Sequence, residues 1–364
     1  MGKAKMAIDG GLNRDRDVIL MSQRGTYSAD PALLCPNVDE FNAQVVGLVY
    51  DARSTQRLHV EATKACRDKL AGLGADLSAY NDTQSAADYD DLRTVLGIVQ
   101  WNLYAISYGT HLALVSMRLH PEGLRSVGLD GIVPPSKARS AESWSSARQG
   151  FDGLFKACAD QPACNKRYPN LSAAFEKLVQ DLEAKPVTTA VALPGNEKPV
   201  KVVIDGGTLV NWLATATHLA EGVPRSLDEL ARGDPRRIAR QWAGWRTNPK
   251  GIGVTSHGLS YGVVCSEWSP YESRYQALRS GREAYPSFPR SVLVQAPQFP
   301  SLHGPYVART LSSATVITIP YEPHVVFATS KCAREIAVSF FETPDAPKTA
   351  CVKALKPLQF ETGP

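Results

Sequence analysis

Ser107 carries the sequence pattern of a nucleophile. An apolar run, Trp101–Ile106, leads into this serine, and a pattern typical of a helix begins directly after it. This order predicts a nucleophile elbow, a sharp strand-to-helix turn that exposes a serine hydroxyl for attack on a carbonyl carbon. The residues two before and two after such a serine must be small, because the two backbones nearly touch there. Gly109 meets this requirement, and Ala105 stands where glycine is usual.

A serine of this kind needs a histidine that removes its proton and a carboxylate that orients the histidine. Along chains with such an elbow, the order is serine, acid, histidine. His324 lies after the last predicted strand and just before the last helix, so we predict that it is the base. His111 follows Ser107 on its helix, where we expect a packing or surface role. His303 is a rival base only if its loop folds over the site.

The acid has no obvious candidate at its usual place. The loop after the penultimate predicted strand, residues 295–304, contains no Asp or Glu. Some chains with this elbow place the acid one strand earlier, which makes Asp130 the candidate for the catalytic acid. The alternative is that Asp130 is structural and holds the turn after its strand through backbone hydrogen bonds. Glu322 is too close to His324 along the chain to reach around the imidazole ring.

Short apolar runs and helical patterns alternate around these residues. Besides the strand before Ser107, the runs that predict strands are Asp17–Ser22, Arg125–Asp130, Ser291–Gln295 and Ala314–Ile319. Helical patterns cover 38–73, 83–96, 108–120 and Cys332–Phe341. In the helix over 83–96, we expect Thr83 at the N-cap and Leu92, Val95 and Leu96 on the inward face.

This alternation predicts the fold class. Strands that alternate with helices favour a mostly parallel, doubly wound sheet, here of the α/β-hydrolase fold. Between the strand that ends at Asp130 and residue 285, helical patterns separated by polar loops predict an inserted cap. The expected domains are a first core part over 1–135, a helical cap over 136–286, and a C-terminal core part over 287–364.

The composition excludes several functional classes. The chain has 364 residues, a net charge of +4 and ordinary hydrophobic and charged contents of 43% and 21%. No run of Lys or Arg indicates a nucleic-acid surface, and no apolar stretch reaches the roughly 20 residues that span a bilayer. No Cys or His cluster has the spacing of a metal site, so we expect neither metal nor cofactor.

The cysteines indicate an oxidising compartment. Six of the seven lie in pairs that bracket short segments, which suggests disulfides. The candidate disulfide cysteines are Cys35 and Cys66, Cys158 and Cys164, and Cys332 and Cys351. Cys265 would then be left over. The alternative is that several of these cysteines are buried free thiols.

With these features in place, the chain resembles the actinobacterial tripeptidyl aminopeptidases, relatives of prolyl aminopeptidase in serine peptidase family S33. The resemblance covers nearly the whole chain. Its matching segments are Arg16–Thr26, Leu34–Pro36, Cys66–Asp68, Ala86–Asp88, Asp91–Arg93, Trp101–Tyr104, Ser107–Thr110, Leu129–Pro135 and the module of Cys332 and Cys351. In such relatives, a signal peptide, the first strands and an H-G-G-P-G loop precede the Arg16 segment. The resemblance therefore implies that this chain is truncated at its N-terminus.

The family likeness also implies an activity. It points to a secreted or cell-envelope serine aminopeptidase that binds a free peptide N-terminus under its cap. Tyr108 would donate its backbone N–H to the oxyanion, and Glu267 would bind the substrate's ammonium group. The alternative for Glu267 is an ordinary exposed glutamate. The expected partner is a small peptide or ester substrate.

The sequence is compatible with three functions. The first is an active aminopeptidase or carboxylesterase that works through a Ser107 acyl-enzyme. The second is a hydrolase homologue without catalysis that binds a ligand under the cap, which the empty acid loop suggests. The third is a degraded gene product without function. The sequence predicts no particular oligomeric state.

Overall fold

The structure is a computed structural model that describes residues 2–49, 54–136, 139–247, 255–295, 303–322 and 324–363. Two compact units divide the chain. The first comprises Met1–Gln23, Tyr80–Lys137 and Pro300–Pro357, and the second comprises Arg24–Ala79, Ala138–Phe299 and Leu358–Pro364. Residues 24–79, which the sequence assigned to the first core part, thus group with the central segment.

The helices and strands follow one another along the whole chain. The helices are α1 (Gly2–Asp9), α2 (Pro36–Val45), α3 (Ser54–Gly72), α4 (Asp82–Val95), α5 (Tyr108–Leu119), α6 (Arg139–Ala159), α7 (Pro162–Arg167), α8 (Leu171–Ala184), α9 (Gly206–Thr215), α10 (Val223–Ala231), α11 (Arg236–Arg246), α12 (His257–Val263), α13 (Arg274–Ala284), α14 (Arg290–Leu293), α15 (Gly304–Ala308), α16 (Val326–Thr329) and α17 (Lys331–Glu342). The strands are β1 (Trp101–Ile106), β2 (Leu124–Asp130), β3 (Val187–Val191) and β4 (Val200–Ile204).

The first unit is built around a parallel strand pair. β1 pairs with β2, with Ile106 opposite Asp130, and α5 forms the crossover between them. The predicted helix over 108–120 and the predicted strand Arg125–Asp130 are therefore confirmed. Pro121 ends the crossover because it cannot continue the backbone hydrogen bonds of α5. The last predicted helix is confirmed by α17, which packs with α1 in a small core of Ala7, Leu12, Phe327, Ala337, Val338 and Phe341.

Three predicted strands are wrong. Asp17–Ser22 lies in irregular chain with Val18, Ile19 and Leu20 between 37% and 54% exposed, and Ala314–Ile319 is also irregular. Ser291–Gln295 belongs to α14 and the turn after it. A β-rich run becomes a strand only when another strand accepts its hydrogen bonds, and among the described residues β1 and β2 pair with each other alone. The structure thus shows mixed helices and strands with a small sheet.

Helix α4 differs from its prediction in cap and face. Asn81, not Thr83, is the N-cap, and its side chain accepts a hydrogen bond from the Gln84 N–H at 2.9 Å. The buried face consists of Asp82, Ser85 and Ala86, whereas Val95 is 83% exposed. The expected inward face is therefore wrong at Val95 and Leu96, and Leu92 is only half-buried. The sequence pattern missed it because the buried face consists of two polar side chains and one small apolar one.

The second unit has an aromatic core and a hairpin. Phe151 and Phe175 meet edge to face, and Tyr285 stacks on Phe288 with ring centroids 4.4 Å apart. Trp144 is fully buried beside them and donates its indole N–H to the Leu293 carbonyl at 3.0 Å. The antiparallel pair β3–β4 lies within the segment predicted to contain helices separated by polar loops, so the hairpin was not predicted.

All three candidate disulfides are present. Cys35–Cys66, Cys158–Cys164 and Cys332–Cys351 have Cα–Cα distances of 5.3, 5.3 and 5.6 Å, within the usual range for a disulfide. Cys265 is an exposed free cysteine. The pattern is typical of proteins from oxidising compartments. Within the described residues, no helix has the length and apolar character needed to cross a membrane.

A histidine of the second unit makes stability depend on pH. His59 stacks on Phe41 and lies 3.0 Å from the Tyr261 hydroxyl. Burial, and then the charges of Arg246 and His257, lower the pKa of His59 below 6.5. As pH falls through about 6.5, the unfolded chain binds a proton that the folded chain still rejects, so the free energy of unfolding falls.

We expect His59→Gln to flatten this pH dependence. The effect should stay below about 1 kcal/mol, because His59 is only partly buried and solvent screens it. Urea unfolding of the oxidised chain between about pH 5 and pH 8 measures the slope. An unchanged slope in His59→Gln would contradict the assignment of the titration to this side chain.

Candidate active site

Ser107 lies at a strained turn between β1 and α5. Its backbone angles are φ 55° and ψ −125°, a region that residues other than glycine rarely adopt. The Ser107 N–H donates to the Asp130 carbonyl at 2.8 Å, and its own carbonyl accepts from the Thr110 N–H and hydroxyl at 2.9 and 2.6 Å. Strain of this kind persists only where neighbouring bonds hold it, and it concentrates at functional sites. The geometry is the sharp strand-to-helix turn that the sequence predicts, and the part of Ser107 as nucleophile stays a prediction.

The unusual Ala105 fits this turn. A Cβ added at Gly109 would lie 3.9 Å from the Ala105 Cβ, which is an ordinary van der Waals contact. The methyl group of Ala105 therefore leaves the strand and the helix at normal packing distance. Its presence in place of glycine does not distort the elbow.

Tyr108 is the first residue of α5, directly after the elbow. The N–H groups of a helix's first turn have no acceptor within the helix and point toward an incoming anion. The backbone N–H of Tyr108 thus belongs to the set of groups that can donate to a developing oxyanion at Ser107. Its role in catalysis stays a prediction.

Asp130 is a buried carboxylate at the end of β2. Its Oδ1 accepts the N–H of Val326 at 3.2 Å, and its Oδ2 accepts the N–H of Phe327 at 3.0 Å. The Tyr104 hydroxyl lies 3.4 Å from Oδ2 as a further donor. Burial, followed by the charge of Asp130, raises the pKa of Tyr104, so the hydroxyl keeps its proton. Asp130 thus anchors the turn that leads from His324 into α16.

His324 lies against the residue that follows Asp130. A Cβ added at Gly131 would lie 2.5 Å from Cε1 and 2.7 Å from Nδ1 of the His324 ring. Gly131 has a φ of +70°, so both its backbone and its lack of a side chain suit this approach. Tyr321 and Val325 also have left-handed backbone angles on either side of His324. The end of β2 therefore brings Ser107, Asp130 and His324 into one region.

Glu267, His303 and His111 are the remaining residues that the sequence singled out. Glu267 is on a π-helical turn, Val264–Trp268, of the second unit, and its substrate role stays a prediction. His303 is the N-cap of α15, and His111 is buried with its Nε2 3.1 Å from the Asp82 carboxylate. The acid-free loop over 296–302 lies outside the described residues.

Gly131 and Asp82 are the residues near the elbow that the sequence analysis did not single out. The signal for Gly131 was its place directly after the strand that ends at Asp130, where a positive φ is common. Asp82 gave no signal, since a carboxylate in the first turn of a helix usually faces solvent.

Within the first unit, one group of described side chains has the spacing of a metal site. Asp90, His120 and Glu122 bring one ligand atom each within 4.8 Å of one another. The Arg93 guanidinium already donates to Asp90 at 2.8 Å. Its positive charge opposes a cation there, so the group fits an ion-pair cluster better than a metal centre.

Comparison with known proteins places this geometry in context. No protein-family model matches the chain. Over 224 residues it is 25% identical to a tripeptidyl aminopeptidase of Streptomyces coelicolor, covering 59% of this chain and 39% of that protein. The chain is a distant relative of serine peptidases and hydrolases.

Two further relatives also bear the names of a protease or a hydrolase. Over 287 residues the chain is 24% identical to serine protease Hip1 of Mycobacterium tuberculosis, covering 74% of this chain and 54% of that protein. Over 185 residues it is 25% identical to hydrolase YuaR of Escherichia coli, covering 49% and 35%. The chain thus spans about half or less of the length of these relatives. Their names support a hydrolase.

Asp130→Ala should destabilise the turn that carries His324. The change leaves the half-buried N–H of Val326, the buried N–H of Phe327 and the Tyr104 hydroxyl without their acceptor, at a cost of about 3 kcal/mol in the free energy of unfolding. Hydrogen exchange should show lost protection at the amides of Val326 and Phe327. The matched control is Asp160→Ala, which removes an exposed ion pair with Lys156 and should cost under about 0.5 kcal/mol. Retained protection at both amides would show that Asp130 does not anchor this turn.

Proposed function

We propose that this chain is a serine hydrolase of the aminopeptidase type, which releases N-terminal amino acids or tripeptides through an acyl-enzyme on Ser107. The observation that carries the proposal is the strained elbow at Ser107 beside a strand end against which His324 packs. The likeness to a tripeptidyl aminopeptidase and a serine protease supports the choice of a peptide substrate. The three disulfides support a secreted or envelope location.

The proposed reaction divides its steps among residues of the first unit. The Ser107 hydroxyl attacks the scissile carbonyl carbon while His324 accepts the hydroxyl proton. The backbone N–H of Tyr108 donates to the oxyanion of the tetrahedral intermediate. His324 then gives its proton to the leaving amine, and water hydrolyses the acyl-enzyme by the same steps in reverse order.

Asp130 has a supporting part in this proposal. Its carboxylate binds the backbone next to His324, which fixes the turn and with it the position of the imidazole. The structural alternative placed such bonds at the turn after β2, whereas the carboxylate binds the backbone of Val326 and Phe327. We therefore assign it the positioning of the base, and its part as the triad acid stays a prediction.

A fluorophosphonate probe tests the proposal, because it phosphonylates only a serine that an active site has activated. We expect a single adduct on Ser107, located by peptide mass spectrometry, and cleavage of tripeptidyl p-nitroanilides. Cleavage of p-nitrophenyl esters without any amide cleavage would identify a carboxylesterase instead. Absence of both adduct and turnover in the oxidised, folded chain would refute the enzyme and favour a homologue that only binds ligands.

A further inference from the structure

A cluster of polar side chains lies directly behind the elbow. We call it the Asp82 cluster, and its members are Gln23, Asp82, Ser85, Tyr108 and His111. Asp82 is only 1% exposed, and Ser85 and His111 are also buried. None of these side chains takes a step in the proposed reaction. Their presence in the interior therefore needs another explanation.

Both carboxylate oxygens of Asp82 face the first turn of α5. The Tyr108 hydroxyl donates to Oδ1, and the His111 Nε2 lies 3.1 Å from Oδ2. The two rings stack with centroids 6.4 Å apart and an angle of 18°. On the other side, the Gln23 amide donates to the Tyr108 hydroxyl and to the Ser85 hydroxyl, both at 3.0 Å. The Tyr108 hydroxyl is thus held from two directions.

Burying a carboxylate is unfavourable unless its hydrogen bonds are replaced, and apolar side chains would fill the same space at less cost. A buried polar network of this kind fixes the orientation of its side chains, because hydrogen bonds allow fewer arrangements than apolar contacts. Here the side chain whose orientation is fixed is Tyr108. Fixing both ends of this residue, the hydroxyl at Asp82 and the backbone at the elbow, limits rotation of the peptide unit between Ser107 and Tyr108.

We propose that Asp82 is a positioning residue that orients the Tyr108 backbone N–H toward the oxyanion. The inference rests on the proposed function, since it explains what holds the Tyr108 N–H in the orientation that this function requires. Oxyanion donors act only within a narrow range of distance and angle, so a small rotation of this peptide lowers the rate without weakening substrate binding. Asp82 itself touches neither the substrate nor Ser107.

The test compares Asp82→Asn, Tyr108→Phe and the double variant. Tyr108→Phe keeps the ring and the backbone N–H and removes only the hydroxyl, with its bonds to Asp82 and Gln23. We expect each single change to lower kcat on a tripeptidyl p-nitroanilide about 10- to 100-fold with KM changed less than about twofold. Because the two residues act through one bond, the double variant should be no slower than the slower single variant.

Asp205→Asn is the matched control. Asp205, in the second unit, is as buried as Asp82 and also lies at the N-terminus of a helix. Its side chain accepts the Thr208 N–H at 2.7 Å. We expect it to lower the urea midpoint while kcat stays within twofold. If Asp82→Asn does not fold, Tyr108→Phe alone carries the test.

The outcomes separate this inference from the function on which it rests. Wild-type protein without turnover or an adduct on Ser107 would refute the proposed function itself. An active wild type with Tyr108→Phe at an unchanged kcat would overturn the role of Asp82 alone. Multiplying effects in the double variant would overturn it as well, since the two changes would then act independently.

Discussion

Ser107→Ala should lower kcat by about 10⁴-fold or more, to the residual rate that binding and oxyanion donors sustain without a nucleophile. The fluorophosphonate adduct should disappear with it. The reason is structural as well as chemical, because the elbow places the attacking hydroxyl at the junction of β1 and α5. KM on the remaining activity should change little, since alanine removes one oxygen and no binding surface.

Ser116→Ala is the control for this change. Ser116 lies on α5 and is buried, and its hydroxyl donates to the Leu112 carbonyl at 3.0 Å. It therefore reports what losing a serine hydroxyl on this helix does to the fold, and kcat should stay within about twofold. Turnover that survives in Ser107→Ala would show that the nucleophile lies elsewhere.

A second substitution at Ser107 measures the strain of its backbone. Ser107→Gly should abolish turnover and yet raise the free energy of unfolding by about 1 kcal/mol, because glycine adopts positive φ without steric cost. Ser116→Gly, in the middle of α5, should lower it by about 1 kcal/mol. Urea unfolding of the two variants gives opposite signs if the elbow stores strain. Equal signs would show that the backbone at Ser107 is relaxed.

His324→Ala is the second change with a large expected effect. Without its base, the Ser107 hydroxyl keeps its proton, and kcat should fall about 10³- to 10⁶-fold. The alanine leaves the space over Gly131 open, so added imidazole should restore part of the rate in proportion to its concentration. A steady-state assay on the p-nitroanilide, with and without imidazole, measures both effects.

His303→Ala serves as control and as rival. His303 is the N-cap of α15, and its loss should leave kcat within about twofold. A collapse of kcat in His303→Ala together with normal turnover in His324→Ala would move the base to His303. Loss in both variants, with rescue by imidazole only in His324→Ala, would still assign the base to His324.

Local signals made part of this structure predictable. Periodicity and helix-end signals predict α5 and α17. Small residues within about one helical turn of Ser107 predict the elbow. The three disulfides follow from cysteines that are close in sequence, with separations of 31, 6 and 19 residues. Each of these features depends on neighbours that the sequence itself displays.

Features that depend on distant partners were not predictable. Asp17–Ser22 has the composition of a buried strand, but it would form a strand only if another strand paired with it. The short run of α14 is apolar because Val292 and Leu293 pack in the core of the second unit, and so short a run does not distinguish helix from strand. The bonds from Asp130 to Val326 and Phe327 cross 196 and 197 residues of chain. No spacing rule reveals them.

The end of β2 binds both loops of the candidate site through one residue. The carbonyl of Asp130 accepts the Ser107 N–H, and its carboxylate accepts the backbone beside His324. A displacement of this strand end therefore carries nucleophile and base in the same direction, so their separation changes less than the position of either. Substitutions that merely shift β2, such as those in its packing against Phe341, should then preserve turnover better than insertions that lengthen one of the two loops.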